Sequence, residues 1–185
     1  IQRGKEVDSF STLINPLRPI PAQATAVHGI SDAMVATAPS LDEMLPKFLG
    51  FVGEDVLSGH NAIRFDGPFL SNALRRFKVA DLDNFVMDTL ILSQRAQPQY
   101  RVHNLETVAA RLNVAQPGAH RALQDASVTG RVLVELLMIL SGQGQRSFMQ
   151  VAKKHGVPLG RIKGSTGGQS VKAYLETMSG SLFGP

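Results

Sequence analysis

The fold class is indicated most clearly by one segment, Val56-Leu57-Ser58-Gly59-His60-Asn61-Ala62-Ile63-Arg64-Phe65-Asp66-Gly67-Pro68-Phe69-Leu70. Residues 55–59 form a short apolar run bounded by glycines, which predicts a strand. Residues 68–77 carry apolar side chains at helical spacing and predict a helix. Asp66 lies where the strand turns into the helix, and open α/β sheets place functional groups at such points. Spacing alone favours a simpler role for Asp66 as the N-cap of the helix.

Predicted strands and helices alternate on both sides of this stretch. Ser40 and Glu43 form a capping-box pattern, and Asn104 is a preferred N-cap residue before another apolar helical face. This alternation predicts an α/β domain. The further predicted elements are strands over residues 7–14 and 85–88 and helices over residues 41–52, 90–95, 105–112 and 121–140.

The composition limits the class of protein. A chain of 185 residues with 43% hydrophobic residues is long enough for one main domain with a sizeable core. The net charge of +4 favours a polyanionic partner, although an ordinary solvated surface explains it equally. The absence of cysteine excludes disulfides and thiolate metal sites, so a reducing cytoplasm is the expected location. The sequence contains no run of about 18 apolar residues, so neither a membrane-spanning helix nor a membrane partner is expected.

The composition changes after residue 140. Residues 141–145 and 164–170 are rich in glycine, and Gly156 is placed to end a helix. We therefore assign residues 1–140 to the main domain and residues 141–185 to a linker with a small helical appendage or tail. A DNA-binding helix-turn-helix within residues 151–162 is a less simple alternative.

A second acidic motif is His120-Arg121-Ala122-Leu123-Gln124-Asp125. Its His and Asp would lie well apart on an ideal helix, so a shared site requires His120 to lie in the loop before the helix. In the simpler alternative His120 caps the helix and Asp125 complements the helix dipole. The motif alone favours the simpler alternative.

Several segments in a fixed order resemble the DEDDh 3'-5' exonucleases, the family of the proofreading epsilon subunit of bacterial DNA polymerase III. The match runs from the first residues to about Leu140, so it covers most of the chain. Each segment is weak alone, and their common order carries the resemblance. The matching segments are residues 10–16, 19–21, 25–31, 60–70, 88–90 and 120–125.

This resemblance implies an RNase H-like mixed sheet flanked by helices and an exonuclease that uses two Mg²⁺ or Mn²⁺ ions. Asp125 would bind metal directly, and Asp66 would bind the second metal directly or through water. His120 would be the general base, because imidazole titrates near neutrality. The products would be nucleoside 5'-monophosphates from single-stranded or frayed DNA 3' ends, in proofreading or repair, with a DNA polymerase subunit as a further partner.

The chain lacks one motif that the family implies, an Asp-x-Glu on an apolar strand. Asp42-Glu43 and Glu54-Asp55 are adjacent pairs and do not replace it. We expect the natural polypeptide to carry this motif, with its N-terminal strands, upstream of Ile1. The polypeptide as written is then not expected to cut DNA alone.

Four residues are candidates for substrate binding by resemblance and position: Asn61, His28, Phe65 and Arg121. Simpler structural roles compete with several of them. His28 could hold its loop through a backbone hydrogen bond, and Phe65 and Phe69 are expected in the core, with one of them able to wedge a terminal base. His60 is expected to hold the loop that carries Asp66, and His103 is expected to be solvated.

Two other functions remain open. One is a catalytically inactive exonuclease-like module that binds nucleic acid or a polymerase, which an upstream sequence without Asp-x-Glu would favour. The other is an exoribonuclease of the same family, which relative rates on DNA and RNA would distinguish.

Overall fold

The structure is a computed structural model that describes residues 1, 4–116, 122–141 and 147–182. Helix α3 and strand β2 have the predicted bounds, whereas helices α1 and α2 were not predicted from the sequence. The helices are α1 (Ala22–His28), α2 (Asp32–Val35), α3 (Leu41–Val52), α4 (Asp66–Arg76), α5 (Thr89–Ala96), α6 (Leu105–Arg111), α7 (Ala122–Ser141), α8 (Phe148–His155) and α9 (Val171–Leu182). The strands are β1 (Leu57–Gly59), β2 (Phe85–Asp88) and β3 (Leu159–Arg161).

The chain divides into two compact units. The first contains Ile1–Ser9, Asp55–Pro68 and Asn84–Ile162, and it holds the sheet. The second contains Phe10–Glu54, Phe69–Asp83 and Lys163–Pro185.

The sheet of the first unit has the strand order β1-β2-β3. Strand β1 pairs with β2 in parallel, with Gly59 opposite Asp88. Strand β3 pairs with β2 in the antiparallel direction, with Arg161 opposite Phe85. Because parallel neighbours end at the same edge, the turn after β1 and the start of α5 lie together. The mixed sheet and its helices confirm the α/β class.

Helix α7 is the centre of the first unit's core. Its residues Val128, Val132 and Leu136 recur every four positions, and all three are buried. This spacing places them on one helical face, and α7 packs against α5, α6, α8 and β1. The face therefore joins the sheet to the surrounding helices.

The segment after residue 141 is also packed. Helix α8 contacts α7, and its residues Val151 and Ala152 are buried in the same core. Gly156 ends α8 in the left-handed conformation, as the sequence predicts. Strand β3 then joins the sheet. The assignment of residues 1–140 and 141–185 to separate domains stays a prediction. Helix α8 and strand β3 follow residue 140 in sequence but pack within the first unit.

The second unit is built on α3, which packs against α9. The predicted capping box is confirmed, since the Glu43 carboxylate accepts hydrogen bonds from the Ser40 backbone amide and hydroxyl at 2.7 and 2.8 Å. Phe10 packs its ring against the rings of Phe48 and Phe51 on α3. Its ring therefore belongs to the second unit's apolar packing.

The predicted strand over residues 7–14 is wrong. These residues form no strand, and most of their side chains are exposed, including Val7 at 59%. Alternating apolar residues predict which side of a strand would be buried, but a strand also needs a neighbour to pair with. None of the described strands pairs with residues 7–14.

The glycine-rich residues 163–170 form an ordered segment on residues 78–81 of the second unit, and we call it the glycine strap. The Ser165 amide donates to the Val79 carbonyl at 2.7 Å, and the Ala80 amide donates to the Gln169 carbonyl at 2.8 Å. A Cβ at Gly164 would lie 2.2 Å from the Ala80 carbonyl oxygen, closer than real contacts allow. The strap therefore requires glycine at this position.

Candidate active site

The turn that joins β1 to α4 places Asp66. Asn61 adopts a left-handed conformation with φ of 69°, and its carbonyl accepts hydrogen bonds from the amides of Arg64 and Phe65. The chain enters α4 at Asp66 itself. A Cβ at Gly59 would lie 3.4 Å from Asp66 Oδ2, so this carboxyl lies directly over the glycine.

Asp88 holds this turn from the end of β2. Its side chain is 1% exposed, and its Oδ1 accepts from the amides of Asn61 and Leu90, both at 2.9 Å. Its Oδ2 accepts from the Ile63 amide at 3.1 Å. The sequence patterns assign Asp88 no role. Its position at the end of a strand that neighbours β1 was nevertheless a signal that it could hold the turn after β1.

His60 and Thr89 hold the start of the same turn. Thr89 Oγ1 lies 3.2 Å from the Gly59 carbonyl and 3.0 Å from His60 Nδ1, and His60 Nε2 lies 2.7 Å from the His103 carbonyl. Burial lowers the pKa of His60 and favours the neutral ring, which donates from Nε2 to the His103 carbonyl. The single proton of the Thr89 hydroxyl then goes either to His60 Nδ1 or to the Gly59 carbonyl. The contacts give His60 the structural role that the sequence favoured.

The expectation that His103 is solvated is wrong. Its side chain is 9% exposed and lies within hydrogen-bond distance of the Ser93 hydroxyl and the Tyr100 carbonyl, both at 3.0 Å. Because His103 directly precedes the helix cap Asn104, its side chain was expected to be exposed. The hydroxyl of Ser93 instead gives the ring a polar partner inside the fold. His103 therefore supports the carbonyl that His60 binds.

The lowered pKa of His60 predicts a pH dependence of stability. The folded protein binds the imidazole proton less readily than the unfolded chain, whose histidine titrates near about 6.5. The free energy of unfolding is therefore expected to fall as the pH falls below about 6.5. Thermal unfolding of wild type and His60→Gln from pH 7 to 5 checks this, and the variant is expected to depend less on pH. Parallel curves for the two proteins would contradict it.

The carboxyl of Asp66 has an unfavourable electrostatic environment. Although the Asp66 side chain is exposed, desolvation of its carboxyl by the surrounding protein raises the pKa of Asp66, its own backbone amide partly opposes this, and the nearby Asp88 charge raises it further. Within the described residues, no Lys or Arg lies within salt-bridge distance of this carboxyl. Such a group is relieved by a bound cation, and carboxylate oxygens are the ligands that Mg²⁺ and Mn²⁺ prefer.

Asp125 lies in the first turn of α7. It precedes Val128 and Thr129 by three and four positions, so it shares the buried face of the helix that packs towards β1. Among the described residues it has no ion-pair partner. Those residues also contain no group of three or more His, Asp or Glu that could hold a metal ion. The structure thus brings Asp66 near Asp88, without a complete set of metal ligands in the described part of the chain.

The structure places the other predicted site residues as follows. Asn61 lies in the turn before Asp66, whereas His120 and Arg121 lie outside the described residues. His28 is the last residue of α1 in the second unit, and its Nδ1 accepts from the Ile30 amide at 3.0 Å. This is the backbone hydrogen bond that its structural role required.

The expectation that Phe65 and Phe69 are core residues is wrong. Their side chains are 62% and 69% exposed. The buried face of α4 instead carries Ser71 and Leu74. Leu74 is one of the apolar residues at helical spacing, whereas Phe69 lies on a part of α4 that the fold leaves exposed. Phe65 is therefore accessible immediately before Asp66.

Comparison with known proteins defines the class. A family model described as Exonuclease, RNase_T, matches residues 1–133. The chain belongs to this exonuclease family.

Relatives agree with this assignment. The chain is similar to a DNA polymerase III subunit epsilon-like protein of Rhodobacter capsulatus, at 39% identity over 84% of this chain and 23% of that protein. It is also similar to a DNA polymerase III PolC-type of Caldanaerobacter subterraneus, at 35% identity over 82% of this chain and 11% of that protein. The chain thus spans about a quarter or less of these relatives.

A solved structure confirms the fold. Exonuclease X in complex with 5' overhanging duplex DNA is similar with a TM-score of 0.62 and 27% identity, over 84% of this chain and 86% of that chain. The mixed sheet flanked by helices is therefore the RNase H-like fold of exonucleases. Within the described residues, no helix combines the length and apolar character needed to cross a membrane.

Proposed function

We propose that this chain carries a 3'-5' exonuclease site that acts on single-stranded or frayed DNA 3' ends, in proofreading or repair. The observation that carries the proposal is the carboxyl of Asp66, held over Gly59 without a cationic partner among the described residues. It lies at the edge where parallel strands β1 and β2 end, which is where α/β sheets bind ligands.

In this proposal Asp66, directly or through water, and Asp125 would supply two of the carboxylates that hold two Mg²⁺ or Mn²⁺ ions. Such ions activate water and stabilise charge during phosphodiester hydrolysis. His120 takes the proton of the attacking water, and nucleoside 5'-monophosphates are released. The half-buried His60 is not available for this step, because both ring nitrogens contact the fold.

The substrate-binding assignments are part of the same proposal. The exposed Phe65 ring can stack on the terminal base, since every base offers a π-face. Arg121 neutralises a backbone phosphate. Asn61 and His28 are each further candidates for substrate contact. We place the reaction in the cytoplasm with a DNA polymerase subunit as partner.

Asp125→Asn tests the proposal. The full natural polypeptide that contains these residues is expected to shorten a 5'-labelled oligonucleotide stepwise from its 3' end with Mg²⁺ or Mn²⁺, and to stop when EDTA is added. Asp125→Asn is expected to lower the rate by at least about 100-fold, beyond the usual effect of losing an outer-shell partner. Gel electrophoresis of the labelled products measures both.

Glu135→Gln is the matched control, because it removes a partly buried carboxylate further along α7. Full activity in Asp125→Asn would contradict the metal role. Release of nucleotides from the 5' end would contradict the polarity.

The same assay separates the remaining alternatives. A single-stranded DNA and an RNA of identical sequence are compared, and a faster rate on DNA is expected. Faster RNA cleavage would support the exoribonuclease. Binding without cleavage by wild type would support the inactive module.

A further inference from the structure

The residues Asp88 and Thr89, at the junction of β2 and α5, contact the turn after β1 at several backbone groups. Asp88 accepts from the amides of Asn61 and Ile63 at 2.9 and 3.1 Å. Thr89 Oγ1 lies 3.2 Å from the carbonyl of Gly59. The two side chains are 1% and 0% exposed. Adjacent residues thus contact both ends of the segment that precedes Asp66.

The turn needs such support. Asn61 holds φ at 69°, a conformation that residues other than glycine adopt at a cost. Gly59 leaves no space for a side chain beside Ala62, whose Cβ would lie 2.8 Å from an added methyl group. Turn amides without acceptors would also be costly to bury. The Asp88 carboxylate supplies the acceptors and thereby selects this conformation.

The path from the turn to Asp66 is short and closed by backbone hydrogen bonds. The Asn61 carbonyl accepts from the Phe65 amide at 3.0 Å, and the Ala62 carbonyl accepts from the Gly67 amide at 2.7 Å. These hydrogen bonds tie the residues immediately before and after Asp66 to the turn. A displacement of Asn61 would therefore move the Asp66 carboxyl.

We propose that Asp88 and Thr89 form a positioning clamp that sets the place of the Asp66 carboxyl. The inference rests on the proposed function, because Asp66 matters there as a metal ligand. Asp88 itself acts through the turn, since three amides already occupy its two oxygens and the side chain is buried. It is a positioning residue.

Asp88→Asn gives the sharpest test. The asparagine carbonyl can still accept from Asn61 and Leu90, but its amide group faces the Ile63 amide, which is also a donor. The metal concentration for half-maximal activity is expected to rise about 10- to 100-fold, as for outer-shell partners of metal ligands. At saturating Mn²⁺ the kcat is expected to recover towards the wild-type value. Nuclease rates across Mg²⁺ and Mn²⁺ titrations of the full natural polypeptide measure this.

Thr89→Val is the second variant, because it keeps the side-chain shape and removes the contacts with Gly59 and His60. It is expected to raise the metal requirement in the same direction, and it replaces Asp88→Asn if that variant does not fold. Asp81→Asn is the control. Asp81 accepts from the Gly164 amide and from Lys163 in the second unit, so its loss is expected to lower stability without changing the metal requirement.

The outcomes are distinct. An unchanged metal requirement in a folded clamp variant, with active wild type, overturns the clamp alone. The same shift in Asp81→Asn as in the clamp variants also overturns it, because it would show a general stability effect. Wild type without metal-dependent nuclease activity overturns the proposed function and the clamp with it.

Discussion

Asp66→Asn is expected to abolish nuclease activity and to raise the melting temperature. In the proposed function Asp66 binds metal directly or through water, and its loss is expected to lower the rate by at least about 100-fold. Stability is expected to increase modestly, because desolvation of the carboxyl and the nearby Asp88 charge raise the pKa of Asp66, while the exposure of the side chain weakens the effect. Amide replaces carboxylate with almost the same shape, so the turn can keep its conformation. Oligonucleotide assays and thermal unfolding of the same preparations measure the two effects.

The stabilisation has a defined pH window. A raised pKa in the folded state means that the contribution of Asp66 to stability is largest below about pH 3.8 and is lost as the pH rises. The gain in melting temperature is therefore expected at pH 7 and is expected to shrink towards about pH 3.

Asp81→Asn is expected to show the opposite sign at pH 7, because Lys163 and the Gly164 amide lower the pKa of Asp81. An Asp66→Asn variant that is less stable than wild type at pH 7 would contradict the argument. It would show that the carboxylate has a compensating partner in the fold.

Gly164→Ala is expected to destabilise the second unit strongly. The added methyl group would lie 2.2 Å from the Ala80 carbonyl oxygen and 2.4 Å from that of Val79, and both are backbone atoms that cannot rotate away. Displacing the strap would strain the hydrogen bonds of Gly164 to Asp81 and of Ser165 to Val79. Overpacking and weakened hydrogen bonds together cost about 2–4 kcal/mol. Denaturant unfolding, with circular dichroism as the signal, measures the loss.

Gly50→Ala is the matched control in the same unit. Gly50 lies within α3, and a Cβ there would have no neighbour within 4 Å. Alanine favours a helix interior over glycine by about 0.5–1 kcal/mol, so this variant is expected to be more stable than wild type. Equal effects of the two substitutions would contradict the close packing of the strap.

Local signals in the sequence predicted many of the elements. The Ser40 and Glu43 pattern located the start of α3, and Asn104 located that of α6, because caps act through neighbouring backbone amides. The strand at residues 7–14 failed because pairing depends on a distant partner. The glycine strap was also missed, since its glycines are required by contact with residues 78–81, far away in the sequence.

The candidate site was predictable to a similar degree. The turn from strand to helix pointed to Asp66 and the family resemblance to Asp125, and the metal roles of both stay predictions. The role of Asp88 could not be predicted, because its carboxylate oxygens accept hydrogen bonds from amides of residues that precede it by 27 and 25 positions. The exposure of Phe65 was missed because hydrophobicity predicts burial only when the side chain lies on the packed face.

The glycine strap has a consequence for the order of folding. The Gly164 amide and the Asp81 carboxylate are 83 residues apart in sequence. Contacts of such separation slow folding, because a long loop must close before they form. A ribosome builds the chain from its N-terminus, so residues 78–81 leave it long before their partners exist. The second unit can complete its native hydrogen bonds only after the first unit's β3 has been synthesised.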